Sequence, residues 1–273
     1  MDKKTGKSNG GKSKIKCYYA VRKGHEKGIY TDWNVCLKRI TNFPDAKFKK
    51  FENLEDAEYY ISDEYREEDY KLSENFLNSL QYSSYSNETD YPINTWTKFE
   101  NKYYIFTDGS EKKFVYKKVS RIGIYLGEKA LNISQSNNDE SNNRCELLAI
   151  LYTLEIIDKN KKELKELHKL DNTDPEYIES IVVVSDSKYC VDACNKWIFS
   201  WTENGWKTKN NKDVLNQDIL RGILLIIKKM KLHRVNVVFE HVNSHRHPPL
   251  TNNKAYFLWK GNYIADVLAQ DKI

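Results

Sequence analysis

The sequence predicts an α/β protein in two modules, a small α+β unit followed by a larger unit in which strands and helices alternate. Three observations predict it. Short runs of aromatic and β-branched residues recur between segments of helical apolar spacing. Charge is partitioned: residues 1–61 carry 14 Lys/Arg against 8 Asp/Glu, residues 62–100 carry 3 against 9, and residues 101–273 carry 27 against 22. Finally, the strand-like run Tyr103-Tyr104-Ile105-Phe106-Thr107-Asp108-Gly109-Ser110 breaks off on an acid and a glycine, and Ile181-Val182-Val183-Val184-Ser185-Asp186-Ser187 repeats that grammar. Two basic blocks around an acidic one read as two modules that meet a polyanion, joined by a solvated connector.

With 273 residues, 40% of them hydrophobic, the chain can bury one substantial core and a small second one. Nineteen tyrosines and six tryptophans are a heavy aromatic load for a mean hydropathy of −0.75. Part of it is expected at the surface, where rings can stack. The five cysteines are odd in number and include no C-x-x-C pair, so free thiols in a reducing, intracellular compartment are expected, with nucleus and cytoplasm both open. Cys190 and Cys194 share a helical face and read as buried packing. No apolar run is long enough to span a membrane, and the first residues lack a signal-peptide core.

Residues 1–16, rich in Lys, Gly and Ser, read as a disordered basic arm, either an address or an added electrostatic contact. Residues 17–62 form the first module. Cys17 to Val21 is a strand, Gly24 to Gly28 a turn, and Ile29-Tyr30 leads into a helix starting after Thr31 or Asp32. Phe48 to Phe51 is a second short strand, and Leu54 to Ile61 a closing helix. Tyr19, Trp33 and Phe48 either fill this thin core or face outward beside Lys49 and Lys50, where they would suit stacking and phosphate contact. Residues 63–100 are acidic and polar, a linker.

Residues 101–273 form the second module. After the opening strand come strands at Val119–Leu126 and Leu131–Ser134, giving a meander. A helix with a Ser or Asn cap follows and places Glu146 in its first turn, where an acid by default complements the helix dipole. Residues 159–179 are a charged excursion, and Ile181 to Ser187 a buried strand. Trp197, Trp201 and Trp206 with nearby lysines make a surface for sugar stacking. A helix from about Leu215 to Lys231, a strand at Val235–Glu240, a long polar loop and a last helix opening at Gly261 complete the order. Asp108, Glu146, Asp186 and Asp266 thus fall at element ends. Clustered carboxylates repel one another without cations, and an oxygen-only set selects Mg²⁺ or Mn²⁺. Two such ions can activate a water and stabilise a leaving 3′-oxygen, the chemistry of phosphodiester hydrolysis.

These residues carry a resemblance. Tyr19-Ala20-Val21-Arg22-Lys23-Gly24, Gly28-Ile29-Tyr30, Trp33, Cys36 and Phe43 through Phe51 resemble the N-terminal hybrid-binding domain of eukaryotic ribonuclease H1. The motifs T-D-G-S, N-N-R-x-E-L, S-D-S-x-Y and G-N-x-x-A-D-x-L-A, with W-x-x-x-W-x-x-N-G-W-K-T between them, resemble the catalytic domain of type 1 ribonuclease H. The resemblance implies an RNase H-like fold, a mixed five-stranded sheet flanked by helices. It also implies endonucleolytic cleavage of RNA in RNA/DNA hybrids with two metal ions, leaving 5′-phosphate and 3′-hydroxyl ends. Asp108 would be shared by both ions, Glu146 and Asp186 would serve the leaving-group side, and Asp266 the water side. His245 would aid proton transfer or product release.

The same resemblance assigns Tyr19, Trp33, Phe48, Lys49 and Lys50 to hybrid binding, or weaker binding of double-stranded RNA. It gives Asn142 and Asn143 to the minor groove, Trp197 and Trp201 to the DNA-strand channel, and Ser141 and Asn216 to a DNA-phosphate pocket. The oligomeric state is left open, between a monomer and a weak dimer through the N-terminal module. Three departures stand out: Asp139 replaces the pocket's usual arginine, Ser244 replaces a glycine before His245, and the connection from His245 to Gly261 is long and carries Pro248, Pro249 and Trp259. His241 and His247 lack the further ligands a zinc site needs. Two other readings compete: a catalytically silent hybrid or double-stranded RNA binder, against which the complete acid set speaks, and the ribonuclease domain of a reverse transcriptase, disfavoured by the N-terminal module and the lack of a polymerase segment.

Overall fold

The computed structural model of the chain describes residues 17–52, 54–63, 65, 91–130, 132–138, 140–244, 248–249 and 254–270. They fall into two compact units, divided between residues 65 and 66. The expected basic arm and most of the acidic linker lie outside the described residues.

In the first unit, strands β1 (Tyr18–Lys23), β2 (Gly28–Tyr30) and β3 (Lys47–Phe51) form an antiparallel sheet in the order β2-β1-β3. Helices α1 (Trp33–Ile40) and α2 (Leu54–Ile61) accompany it. Ile29-Tyr30, read from sequence as a lead-in to the helix, is a strand, with Tyr30 opposite Tyr19. Three residues are too few for an alternation to register. Asp32 caps α1, its carboxylate accepting from the backbone N–H groups of Asn34 at 2.7 Å and Val35 at 3.2 Å. Two orphan donors are met by one side chain, which settles the choice between Thr31 and Asp32. Arg22 anchors the end of α2 by donating to the carbonyls of Tyr60 and Ser62, each at 2.8 Å.

The second unit is built on a mixed sheet of β4 (Thr97–Phe99), β5 (Lys102–Lys113), β6 (Lys118–Tyr125), β7 (Ile133–Asn138), β8 (Ser180–Ser185) and β9 (Val237–His241). The order is β7-β6-β5-β8-β9, antiparallel on the β6 and β7 side and parallel across β5, β8 and β9. These are the five strands expected. Short β4 adds to them by pairing with the start of β5, on residues 102–104.

The helices are α3 (Asn142–Lys159), α4 (Lys161–Lys169), α5 (Lys188–Asp192), α6 (Ile198–Glu203), α7 (Gln217–Leu232) and α8 (Lys254–Gln270), with a π-helical turn at Ala193–Trp197. Alternation along β5 divides the core. Tyr103 and Ile105 join the large cluster with α3 and α7, whereas Tyr104 and Phe106 join the cluster with α8. Helix α3 is buried nearly all round because it lies between the sheet and α7.

Three expectations are corrected. Residues 91–99, read as the end of the linker, belong to the second unit: Tyr91, Ile93 and Trp96 are buried in its main core. Their apolar content was averaged away by the acidic composition around them. The last helix begins at Lys254, not Gly261, so Asp266 lies toward its C-terminal end. Gly261 is a contact point rather than a start, since a Cβ there would lie 2.3 Å from the Phe106 ring. Glu146 is the fifth residue of α3, just past the first turn in which it was expected, because Ser141 rather than an Asn is the cap.

Candidate active site

The opening stretch does not end at Asp108. β5 continues to Lys113, and Asp108 sits mid-strand opposite Gly123 of β6. What ends there is the neighbouring strand. β8 pairs with β5 only as far as Thr107 opposite Ser185, and the chain then turns away at Asp186. The sheet narrows at Asp108, so an acid that is internal to its own strand still lies at the rim of the parallel half, where bound groups have access.

Gly109 brings the helix to that rim. A Cβ at this position would lie 2.3 Å from the Glu146 backbone nitrogen and 2.6 Å from the Cys145 carbonyl carbon, so only glycine lets α3 pack this close. Glu146 then reaches the same space as Asp108 and Asp186. One carboxylate oxygen from each of the three lies within 4.8 Å of the other two. Asp186 is fixed between β8 and the Ser187 cap of α5. His241 Nε2 lies 3.1 Å from the Asp186 carbonyl oxygen, which can only accept, so that nitrogen donates. Asp266 approaches from α8 with its carboxylate accepting from the Gln270 amide one turn on. All four acids line one polar depression of about 430 Å³, together with Asn142 and Ser244.

Electrostatics follow from burial. Asp108 and Glu146 are buried, and Glu146 Oε2 has no hydrogen-bond partner among the described residues. Desolvation first, then the charges of Asp186 and Asp266, push Asp108 up to about 8. Desolvation, then Asp108 and Asp186, hold Glu146 well above the carboxylate range. Such a pair is short of positive charge. Oxygen-only donors, mutual repulsion and an orphaned carboxylate oxygen together fit a hard divalent cation. The nearby thiols do not compete: burial pushes Cys145 up to about 11 and Cys190 up to about 12.

Around the acids the expected contacts are distributed as follows. Asn142 and Asn143 are exposed at the start of α3. Ser141 and Asn216 come together through Arg144, which donates to Asn216 Oδ1 at 3.4 Å. The Arg144 guanidinium is already matched by Asp218, at 2.9 and 2.6 Å, and by Glu140 at 2.8 Å. Asp139 and His245 lie outside the described residues. Trp197 and Trp201 meet with tilted rings, centroids 5.8 Å apart, and the row continues to Tyr189 on one side and on the other to Trp206, which is buried rather than on the surface as expected. The π-helical turn Ala193–Trp197 falls within this row, between Tyr189 and Trp201, and ends on Trp197, which is partly exposed.

In the first unit the aromatic question resolves into a half-exposed row. Trp33 is 40% and Phe48 43% exposed, with ring centroids 5.9 Å apart and Tyr19 5.2 Å from Trp33. Lys50 shares their face, being opposite Tyr19 in the sheet. Lys49 does not. Strand alternation turns it to the other side, where its Nζ lies 5.5 Å from the Phe51 ring.

Sequence reasoning missed His241 as a brace for Asp186, Gln270 as a partner of Asp266, and Glu111, whose carboxylate accepts from the Asn142 N–H at 3.0 Å. The i, i+4 spacing of Asp266 and Gln270 was a usable signal once the helix was placed; the other two are long-range.

The description "RNase H" matches residues 100–273, and "Ribonuclease H1 N-terminal domain" matches residues 17–61. Ribonuclease H of Schizosaccharomyces pombe is 25% identical over 290 aligned positions, covering 93% of this chain and 96% of that protein. Ribonuclease H1 of Homo sapiens is 22% identical, covering 81% and 82%. Ribonuclease H of Novosphingobium aromaticivorans is 30% identical over 48% of this chain and 79% of its own. Motif order, acid placement and a family match over most of the length agree, and the chain belongs to the RNase H family of hydrolases.

Proposed function

We propose that this protein is an endoribonuclease that hydrolyses the RNA strand of RNA/DNA hybrids with two Mg²⁺ ions, Mn²⁺ substituting, and leaves 5′-phosphate and 3′-hydroxyl ends. The observation that carries the reading is the meeting of Asp108, Glu146 and Asp186, from a strand, a helix and a strand-to-helix turn, within 4.8 Å. The RNase H family is metal-dependent, and this buried triad can hold a metal. Asp266, lining the same depression, would complete the ligand set. Bound divalent cations would supply Lewis-acid stabilisation of phosphoryl charge and an acidified water.

The chain's own residues do the rest. Asp108 and Glu146, whose carboxyls burial holds above the ordinary carboxylate range, would face the cations from the floor of the depression. His241 and Gln270 keep Asp186 and Asp266 oriented. Asn142 and Asn143 would face the minor groove, Ser141 and Asn216 a phosphate of the DNA strand, and Trp197 and Trp201 its sugars, favouring the strand without 2′-hydroxyls. His245 would move a proton or speed product release, an assignment resting on the motif alone. Tyr19, Trp33, Phe48 and Lys50 would hold the hybrid by shape rather than sequence, with double-stranded RNA as a weaker ligand.

The test is cleavage of a uniform RNA/DNA hybrid with Mg²⁺, beside single-stranded and double-stranded RNA. Hybrid-only cleavage that a chelator stops, with 5′-phosphate products, is the expected result. Binding without cleavage would transfer the reading to a catalytically silent hybrid sensor.

A further inference from the structure

The hairpin joining β5 to β6 carries three large side chains at its tip, Phe114 at 56%, Val115 at 88% and Tyr116 at 98% exposure. The turn is closed by the Phe114 N–H donating to the Lys117 carbonyl at 2.7 Å. Such a turn asks for small or polar residues, not for three apolar ones. Among the described residues, none of the three joins a core cluster. Four lysines, Lys112, Lys113, Lys117 and Lys118, flank the tip against a single acid, Glu111.

We propose that this hairpin tip is a second nucleic-acid contact, gripping the duplex that flanks the cleavage site. The inference rests on the proposed hybrid substrate and extends its footprint. Exposed rings among lysines are the composition of a surface that stacks on sugars or bases while neutralising phosphates. A protein partner is disfavoured by the same residues, because lysine is depleted from the buried centre of protein interfaces.

The hairpin is continuous with the catalytic depression. Lys112 lines it together with Asp108. Its root is fastened on both sides: Ser110 donates to the Ala269 carbonyl at 2.6 Å, and Glu111 accepts from Asn142 at 3.0 Å. The hairpin is therefore anchored at its root, on the same strand that carries Asp108. Lys113 stands five positions beyond Asp108, about 17 Å of extended strand. That is about five steps along a nucleic-acid strand.

The experiment compares wild-type full-length protein with the double variant Phe114→Ala/Tyr116→Ala and with Lys113→Gln/Lys117→Gln. Binding to a long hybrid of about 30 base pairs is followed by fluorescence anisotropy over a range of salt, and cleavage kinetics are measured on the long hybrid and on one of about 8 base pairs. The aromatic variant should bind the long hybrid about 5- to 20-fold more weakly, with KM raised in proportion and kcat within twofold. Cleavage of the short hybrid should be unchanged, which also shows the fold intact. The lysine variant should lower the slope of log affinity against log salt by up to about 2.

Equal binding by all three proteins overturns the proposal. So does a wild type that sediments as a dimer while the aromatic variant is a monomer, since the tip would then meet a second copy. A wild type that binds but never cleaves overturns the proposed activity alone, and the tip is judged on the binding arm. Wild type that binds no hybrid overturns both.

Discussion

The two units handle polar function in opposite ways. The first has a thin core, with Val21, Cys36 and Ile40 at the centre of one face, and its candidate residues lie at the surface. The second buries two carboxylates at the edge of a large core and holds them against their own repulsion. A binding surface of half-exposed rings needs little scaffold, because each ring keeps part of its solvation and part of its packing. A cluster of desolvated acids needs a scaffold whose packing outweighs the cost of the charge. The difference teaches where tolerance lies: substitutions in the first unit should change affinity by degrees, and those at the acids should change chemistry outright.

The largest expected effect is at Asp108. Asp108→Asn should reduce hybrid cleavage by about 10³-fold or more while hybrid binding persists, read by a cleavage assay beside anisotropy. Retained activity would remove Asp108 from the metal assignment. The same variant tests the electrostatics. Because burial raises Asp108 in the folded state to about 8, the folded protein binds the extra proton, and stability falls as pH rises from the ordinary carboxylate range through that value. Without divalent cations, Asp108→Asn should therefore raise Tm at pH 8, and the gain should vanish near pH 4.

Next comes Gly109→Ala, which forces a Cβ onto the Glu146 backbone. Expected are a destabilisation of about 1–3 kcal/mol in a denaturant titration and a further loss of kcat as Glu146 is displaced. Trp33→Ala should weaken hybrid affinity by about 1–3 kcal/mol while cleavage in a single encounter survives; unchanged affinity would take the first unit out of hybrid binding. The smallest effect sharpens the comparison inside one strand. Lys50→Ala should weaken binding severalfold at low salt, and Lys49→Ala, on the opposite face, should not.

How much of this was legible beforehand depends on the range of the interaction. Asp108 and Asp186 could be read because each follows a strand-like apolar run, and Glu146 and Asp266 because their motifs keep the family order. Where those acids sit within their elements could not. β5 runs on past Gly109 because β6 keeps pairing with it, and α8 starts seven residues early because Phe257 packs against Phe99, Tyr104 and Phe106. Both causes are distant in sequence. The face taken by Lys49 is a matter of register, and a single residue decides it. The apolar content of residues 91–99 was present in the letters, but a composition window straddling an acidic stretch hides it.

The pairing of β5 with β8 also sets the order in which the molecule can assemble. Ile105 meets Val183, and Thr107 meets Ser185, each across 78 positions of chain. At translation rates of about 5–20 residues per second, Tyr103 to Phe106 would wait roughly 4–16 s for their parallel partner. During that interval one side of an aromatic, β-prone strand has only later-closing neighbours to cover it, and long-range closure of this kind is slow. The catalytic rim cannot exist until it closes. A newborn chain thus exposes this strand edge until β8 arrives and lacks the complete acid set until α8 brings in Asp266, the consequence to expect of placing Asp108 at this seam.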